Sequence, residues 1–209
     1  MPNIPAREAL ARLRDGNARF VAGTPAHTAE TLHIQRLQSA GGQSPFAIIL
    51  GCSDSRVPAE LVFDQGLGDL FVIRVAGNIV APSQVGSVEF AAEQFGVRLV
   101  VVLGHSECGA IAATIAAVAN PGDAHSKNIR AIVDRVRPAV EATQQGDASR
   151  TDGTFAAAVT RTNVRMSADH LRHGSELLER FIQRDGLVVV GAEYSVTTGS
   201  VEFFDGVSA

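Results

Sequence analysis

Leu99-Val-Val-Val-Leu-Gly104-His105, read beside Phe46-Ala-Ile-Ile-Leu-Gly51-Cys52, decides the fold. Each is a short aliphatic run bounded by glycine, without polar alternation, the pattern of a strand buried on both faces of a parallel sheet. In open α/β sheets the carboxyl ends of such strands form the crevice where ligands bind. The two runs deliver Cys52 and His105 to that edge, and Cys108 follows three residues later. Thiolate, imidazole and thiolate suit Zn²⁺, and three protein donors rather than four leave a position for water, as in a catalytic site. The residues by themselves read as a zinc hydro-lyase or hydrolase.

Outward from these runs the chain alternates. Ala6 to Phe20 carries Leu10, Leu13 and Phe20 at helical spacing, an amphipathic helix expected to pack on something other than its immediate neighbours. Thr24 to Ala40 is a second, weaker helical stretch closed by Gly41 and Gly42. Strands are expected at Phe46–Gly51, Leu70–Val75 and Leu99–Gly104, with helices from about Pro58, over Ser83–Phe95, and from Glu107 to the breaker Asn120-Pro-Gly122. Helical patterns over Lys127–Gln145 and Phe155–Arg184 flank a loop at 146–153, and a hairpin of Leu187–Tyr194 with Ser200–Phe204 ends the chain. This order predicts an α/β fold: a mostly parallel central sheet with an antiparallel edge strand, flanked by helices, with an N-terminal helical extension. Residues 1–40 are expected to form a helical arm and 43–209 the zinc-binding core of a single domain.

Composition narrows the function. The 209 residues carry a net charge of −4 with a pI of about 5.8, and Lys127 is the only lysine. No basic footprint for nucleic acid and no polybasic stripe for a membrane appears. The apolar stretch Gly109–Ala119 is shorter than the roughly 20 residues a membrane helix needs. The first 20 residues are charged rather than signal-like, and two cysteines in a chain of this length suit a metal or catalytic pair better than a disulfide framework. A cytoplasmic location is expected.

The segment Cys52-Ser-Asp54-Ser-Arg56 sharpens the site. If it stays extended, as Pro58 encourages, Cys52, Asp54 and Arg56 share a face and all look at the metal. Cys108 is expected in the first turn of the following helix, where the helix dipole favours a thiolate. Gly104-His-Ser-Glu-Cys108 only approaches a nucleophile elbow, and Gly66-Leu-Gly68 precedes a strand instead of following one, against a dinucleotide loop. His170 and His173 form a rival metal pair, read as a surface or interface element.

Cys52-Ser-Asp-Ser-Arg56-Val-Pro-Ala-Glu60, together with Gly104-His105-Ser-Glu-Cys108-Gly109-Ala110, resembles the paired signature of the β-class carbonic anhydrases. Phe71-Val-Ile-Arg74-Val-Ala-Gly77-Asn78 and the C-terminal Gly191-Ala-Glu-Tyr194 through Glu202-Phe203 extend the resemblance over most of the chain. It implies one Zn²⁺ per chain held by Cys52, His105 and Cys108, and reversible hydration of CO₂ to bicarbonate and a proton through a zinc-bound hydroxide. Asp54 and Arg56 match the catalytic dyad, and Asp54 is the fourth metal ligand in the closed form some members adopt. Gln43, Phe71 and Gly109 match substrate-pocket positions, and Phe90 stands where many members have tyrosine.

The resemblance also implies homodimers, or dimers of dimers, whose N-terminal helices wrap the neighbour. Arg74 matches one residue of a bicarbonate pocket that closes some members. Ile49 stands where those members have tryptophan, which points to the open form. His27, His33 and His125 are candidate proton shuttles by exposure alone. The same scaffold resembles CS₂ and COS hydrolases, while a non-catalytic zinc protein would need neither Asp54, Arg56 nor Gln43. A thiol redox protein would need Cys52 and Cys108 to pair.

Overall fold

The computed structural model describes residues 4–120, 126–146 and 153–207. Four strands run parallel: β1 (Ala47–Gly51), β2 (Leu70–Arg74), β3 (Leu99–His105) and β4 (Val188–Tyr194). A fifth, β5 (Val201–Asp205), pairs antiparallel with β4, and the order across the sheet is β2-β1-β3-β4-β5. Every residue of β1 and β3 is buried, which is why their sequences run apolar without alternation. From β1 the chain moves outward to β2, then returns past β1 to β3 on its other side. The sheet therefore changes direction between β1 and β3, and a crevice opens at their carboxyl ends.

Helices cover both faces. On one face α1 (Ala6–Ala22) and the single turn α3 (Ala59–Val62) pack against Ile49, Val101 and Val190. On the other, α4 (Pro82–Gln94), α7 (Gly153–His173) and α8 (Glu176–Arg184) cover Ile48, Leu50, Val100 and Val102. α5 (Gly109–Ala119) and α6 (Lys127–Gly146) join α7 in a third apolar cluster that encloses Cys52 and Cys108. Among the described residues no helix is long and apolar enough to cross a membrane.

Three expectations gain detail. The helix after Pro58 is one turn long, because Asp64 adopts a left-handed φ of 44° and its carboxylate binds Arg19 and the amides of Ala26 and His27 instead. The pattern Phe155–Arg184 is two helices, since Gly174-Ser175 interrupts it and Ser175 caps α8 while donating to Glu89. The N-terminal arm also divides. α1 is seated on its own sheet, where a Cβ on Gly16 would lie 1.8 Å from the Phe63 carbonyl oxygen. In contrast, α2 (Ala29–Gln38) buries no residue and leaves Ile34 and Leu37 about half exposed. Of the expected loop 146–153, positions 147–152 lie outside the described residues, as do His125 and the Pro-Gly of the breaker at 120–122.

Asn17 is the fastening of α1. Its amide nitrogen donates to the carbonyls of Val62 and Gly199, and its oxygen accepts from the amide of Val201. Removing the side chain leaves one buried and two part-buried backbone groups without this partner. Asn17→Ala is expected to lower stability by about 1–3 kcal/mol, read as a lower urea midpoint at fixed protein concentration.

Candidate metal centre and active site

The backbone brings the donors together before side chains are considered. Gly51 pairs with Leu103 across β1 and β3, so the residues that follow each strand emerge side by side. Cys52 leaves β1, His105 ends β3, and Cys108 stands at the N-cap of α5, one position earlier than the sequence implies. Between them Glu107 takes a left-handed φ of 56°, turning the chain sharply so that His105 and Cys108 face the same space. The Sγ atoms of Cys52 and Cys108 and a ring nitrogen of His105 all lie within 4.8 Å of one another, and all three residues are buried.

The donors' hydrogen bonding suits a cation. His105 Nδ1 lies 2.9 Å from the Ser106 carbonyl oxygen, which can only accept, so Nδ1 carries the proton and Nε2 presents a lone pair. Among the described residues, Nε2 is buried with no hydrogen-bond partner. The two sulfurs are 3.9 Å apart. The hydrogen bond from Cys108 lowers the Cys52 thiol to about 4 against the opposing effect of burial, with the Gly77 amide assisting. Cys108 is pushed up because it keeps the proton it shares with that thiolate. Burial presses His105 down, and the neighbouring Cys52 sulfur carries it up. Two buried sulfurs 3.9 Å apart beside an imidazole nitrogen that lacks a hydrogen-bond partner form a donor set that a divalent cation fits.

Asp54 stands next to this cluster, with Oδ2 3.9 Å from His105 Nε2. The segment after Cys52 does not stay extended. The Val57 amide donates to the Asp54 carbonyl in a tight turn, and the Arg56 amide and guanidinium both reach back to the Asp54 carboxylate. Arg56 therefore grips Asp54 from the solvent side, its side chain about half exposed, and does not itself look at the metal donors. Its Nη2 also donates to the Glu107 carbonyl, tying the two motifs together. The Arg56 hydrogen bond holds the Asp54 carboxyl well below the usual carboxylate range.

A family model described as carbonic anhydrase matches residues 47–201. The chain is 40% identical to carbonic anhydrase 2 of Mycobacterium tuberculosis over 199 residues, 95% of this chain and 93% of that one. The chain belongs to the β-carbonic anhydrase family. The carbonic anhydrase of Mycolicibacterium smegmatis is 39% identical over 202 residues, covering 97% and 95% of the two chains. Among solved structures, β-carbonic anhydrase CafA of Aspergillus fumigatus aligns with a TM-score of 0.74 at 25% identity, over 97% of this chain and 92% of its own. One of two tetrameric β-carbonic anhydrases of Sordaria macrospora aligns at 0.73 and 25% identity, over 95% of each.

Not every expected residue joins the cluster of this β-carbonic anhydrase chain. Gly109 does, opening α5 beside Cys108 with nothing within 4 Å of where a Cβ would sit. Phe71, on the edge strand β2, pairs with Ile48, which is four residues before Cys52, so it lies roughly 13 Å short of that cysteine along the strand. Its ring packs with Phe90 and Phe95, centroids 6.2 and 6.1 Å away. Gln43 is exposed in the loop before β1. Arg74 spends its donors on the carbonyls of Cys52 and Asp54, at 3.0 and 2.6 Å, so it braces the site's backbone.

Some contributors lie inside the quoted motifs but take no role from the sequence alone. Ser106 holds His105 by its carbonyl, while its hydroxyl accepts from the Val196 amide. Gly77, φ 70°, donates its amide to Cys52 Sγ at 3.3 Å. The rival pair His170 and His173 joins no group of three metal-ligating side chains among the described residues.

The Asp54–Arg56 pair yields a pH test. A carboxyl depressed in the folded state contributes stability above its unfolded pKa of about 4, and that contribution is lost as pH falls. Asp54→Asn is expected to show a shallower loss of stability than the parent between about pH 5 and 3, followed by thermal melts across that range.

Proposed function

We propose that this protein catalyses the reversible hydration of CO₂ to bicarbonate with one Zn²⁺ held by Cys52, His105 and Cys108. The observation that carries the reading is the orphaned Nε2 of His105, set among two buried sulfurs and faced by the Asp54 carboxylate. Sulfur, sulfur and imidazole nitrogen suit zinc over harder cations, and a three-donor set leaves a position for a reactant. Zinc bound there would supply Lewis acidity to a coordinated water, less than beside three neutral imidazoles because two thiolates offset its charge.

The chain's own residues do the rest. Asp54 accepts a hydrogen bond from the reacting water and orients it, and Arg56 fixes that carboxylate by binding both its oxygens. Arg56 also keeps Asp54 ionised, so it acts as an acceptor and not as a donor. Ser106 fixes the His105 ring and its tautomer. The space beside Gly109 gives an uncharged, apolar substrate room to approach.

Gln43, Phe71 and Phe90 lie on an exposed loop, an edge strand and an exposed helix face. We assign them to the substrate pocket of a neighbouring subunit, in a homodimer or dimer of dimers. The exposed Ile34 and Leu37 of α2 support that assembly, as does the tetrameric state named for the Sordaria macrospora relative. Two thiols kept reduced as metal donors suit a cytoplasmic enzyme.

Zinc analysis in reducing buffer, joined to stopped-flow CO₂ hydration, tests the reading. About one zinc per chain with rapid hydration is expected, and sulfide release from CS₂ without hydration would overturn it. Cys52→Ala and His105→Ala should each lose zinc and activity together. Asp54→Asn should keep its zinc while turnover falls by roughly two to four orders of magnitude, and near-normal turnover would contradict the role given to Asp54.

A further inference from the structure

The metal-facing turn after β2 is held from the far side by α7. Val75 accepts from the Asn78 amide, closing a four-residue turn in which Gly77 takes φ 70°, ψ 18°. A Cβ on Gly77 would lie 3.2 Å from Ala110 Cβ and 3.4 Å from Val136 Cγ2, so both the conformation and the space select glycine. In this conformation the Gly77 amide points at Cys52 Sγ, 3.3 Å away. The carbonyl of the same residue accepts from Asn163 Nδ2 at 2.9 Å, a bond buried at both ends and spanning 86 residues of sequence. One turn further along α7, Ser167 holds the Asn78 carbonyl at 3.2 Å.

From this relay we infer that Asn163 is a positioning residue for the metal centre: it fixes the peptide after Gly77 and thereby aims the Gly77 amide at the Cys52 sulfur. Asn163 touches none of the three donors, and no motif contains it. An N–H···S bond draws electron density from a thiolate, and it orients the sulfur lone pairs. Both effects matter where two thiolates offset the charge of one cation. Outer partners of this kind typically govern metal affinity by 10–100-fold. The inference rests on the three-donor reading above, and its test keeps the two apart.

The test uses the full-length protein loaded with zinc and, separately, with cobalt(II). Asn163→Leu keeps the branched outline of the side chain and removes the donor. Thr160→Val, one turn earlier on α7, removes a part-buried hydroxyl bond to the Ala156 carbonyl of the same helix. In Asn163→Leu the sulfur-to-cobalt charge-transfer band is expected to move to lower energy, because the thiolate becomes richer in electrons. Zinc release to a chelator should quicken roughly tenfold or more. Thr160→Val should leave both near the parent values while losing comparable thermal stability. A band and release rate unchanged in Asn163→Leu, or shifted equally by Thr160→Val, would overturn the inference. Parent protein that takes up neither metal would instead overturn the three-donor reading on which it rests.

Discussion

Two thiols and an imidazole nitrogen buried within 4.8 Å of one another are expensive to desolvate unless something accepts their lone pairs. Among the described residues His105 Nε2 has no hydrogen-bond partner, and the two buried sulfurs lie 3.9 Å apart. This unmet demand organises the carboxyl edge of the sheet. It explains why apolar strands end in chemically reactive residues, and why the third core cluster closes around cysteines. It also accounts for the backbone braces that converge there from β2, the α3 side, α5 and α7.

Those braces share a logic. Arg74 holds the carbonyls of Cys52 and Asp54, Arg56 holds the Asp54 carboxylate and the Glu107 carbonyl, and Ser106 holds His105. The Arg74 bonds and the Arg56 bond to Glu107 link separate segments of the site, so the cluster behaves as one unit and not as three side chains on separate strands. Such preorganisation matters most for a reaction whose substrate is small, neutral and poor in hydrogen-bonding handles, because the substrate itself supplies little binding energy for orientation. Arg74 illustrates how context assigns a role. From the resemblance an anion pocket is expected at this position, yet the Arg74 donors are engaged by the backbone of Cys52 and Asp54.

The strands and the convergence of Cys52, His105 and Cys108 were legible in the sequence because buried parallel strands write themselves as unbroken aliphatic runs, and the three residues fall at or just after the ends of two of them. Helix ends and turns were less legible where long-range bonds decide them. Asp64 ends α3 because Arg19 and the 26–27 amides claim its carboxylate, and Ser175 divides α7 from α8 partly through Glu89. The turn at Asp54 replaces the extended segment suggested by Pro58 because Arg56 can reach back to the carboxylate. Asn163 was invisible, since one asparagine on an amphipathic helix carries no local sign of a carbonyl 86 positions away. The amphipathic pattern of α1 likewise could not say which subunit it covers, and Asn17 decides for its own.

The most direct measurement is X-ray absorption at the zinc edge of the full-length protein. The account predicts a shell of two sulfurs at about 2.3 Å and one imidazole nitrogen at about 2.0–2.1 Å, completed by one further light atom. A shell built of oxygen and nitrogen alone, or of four sulfurs, would contradict it.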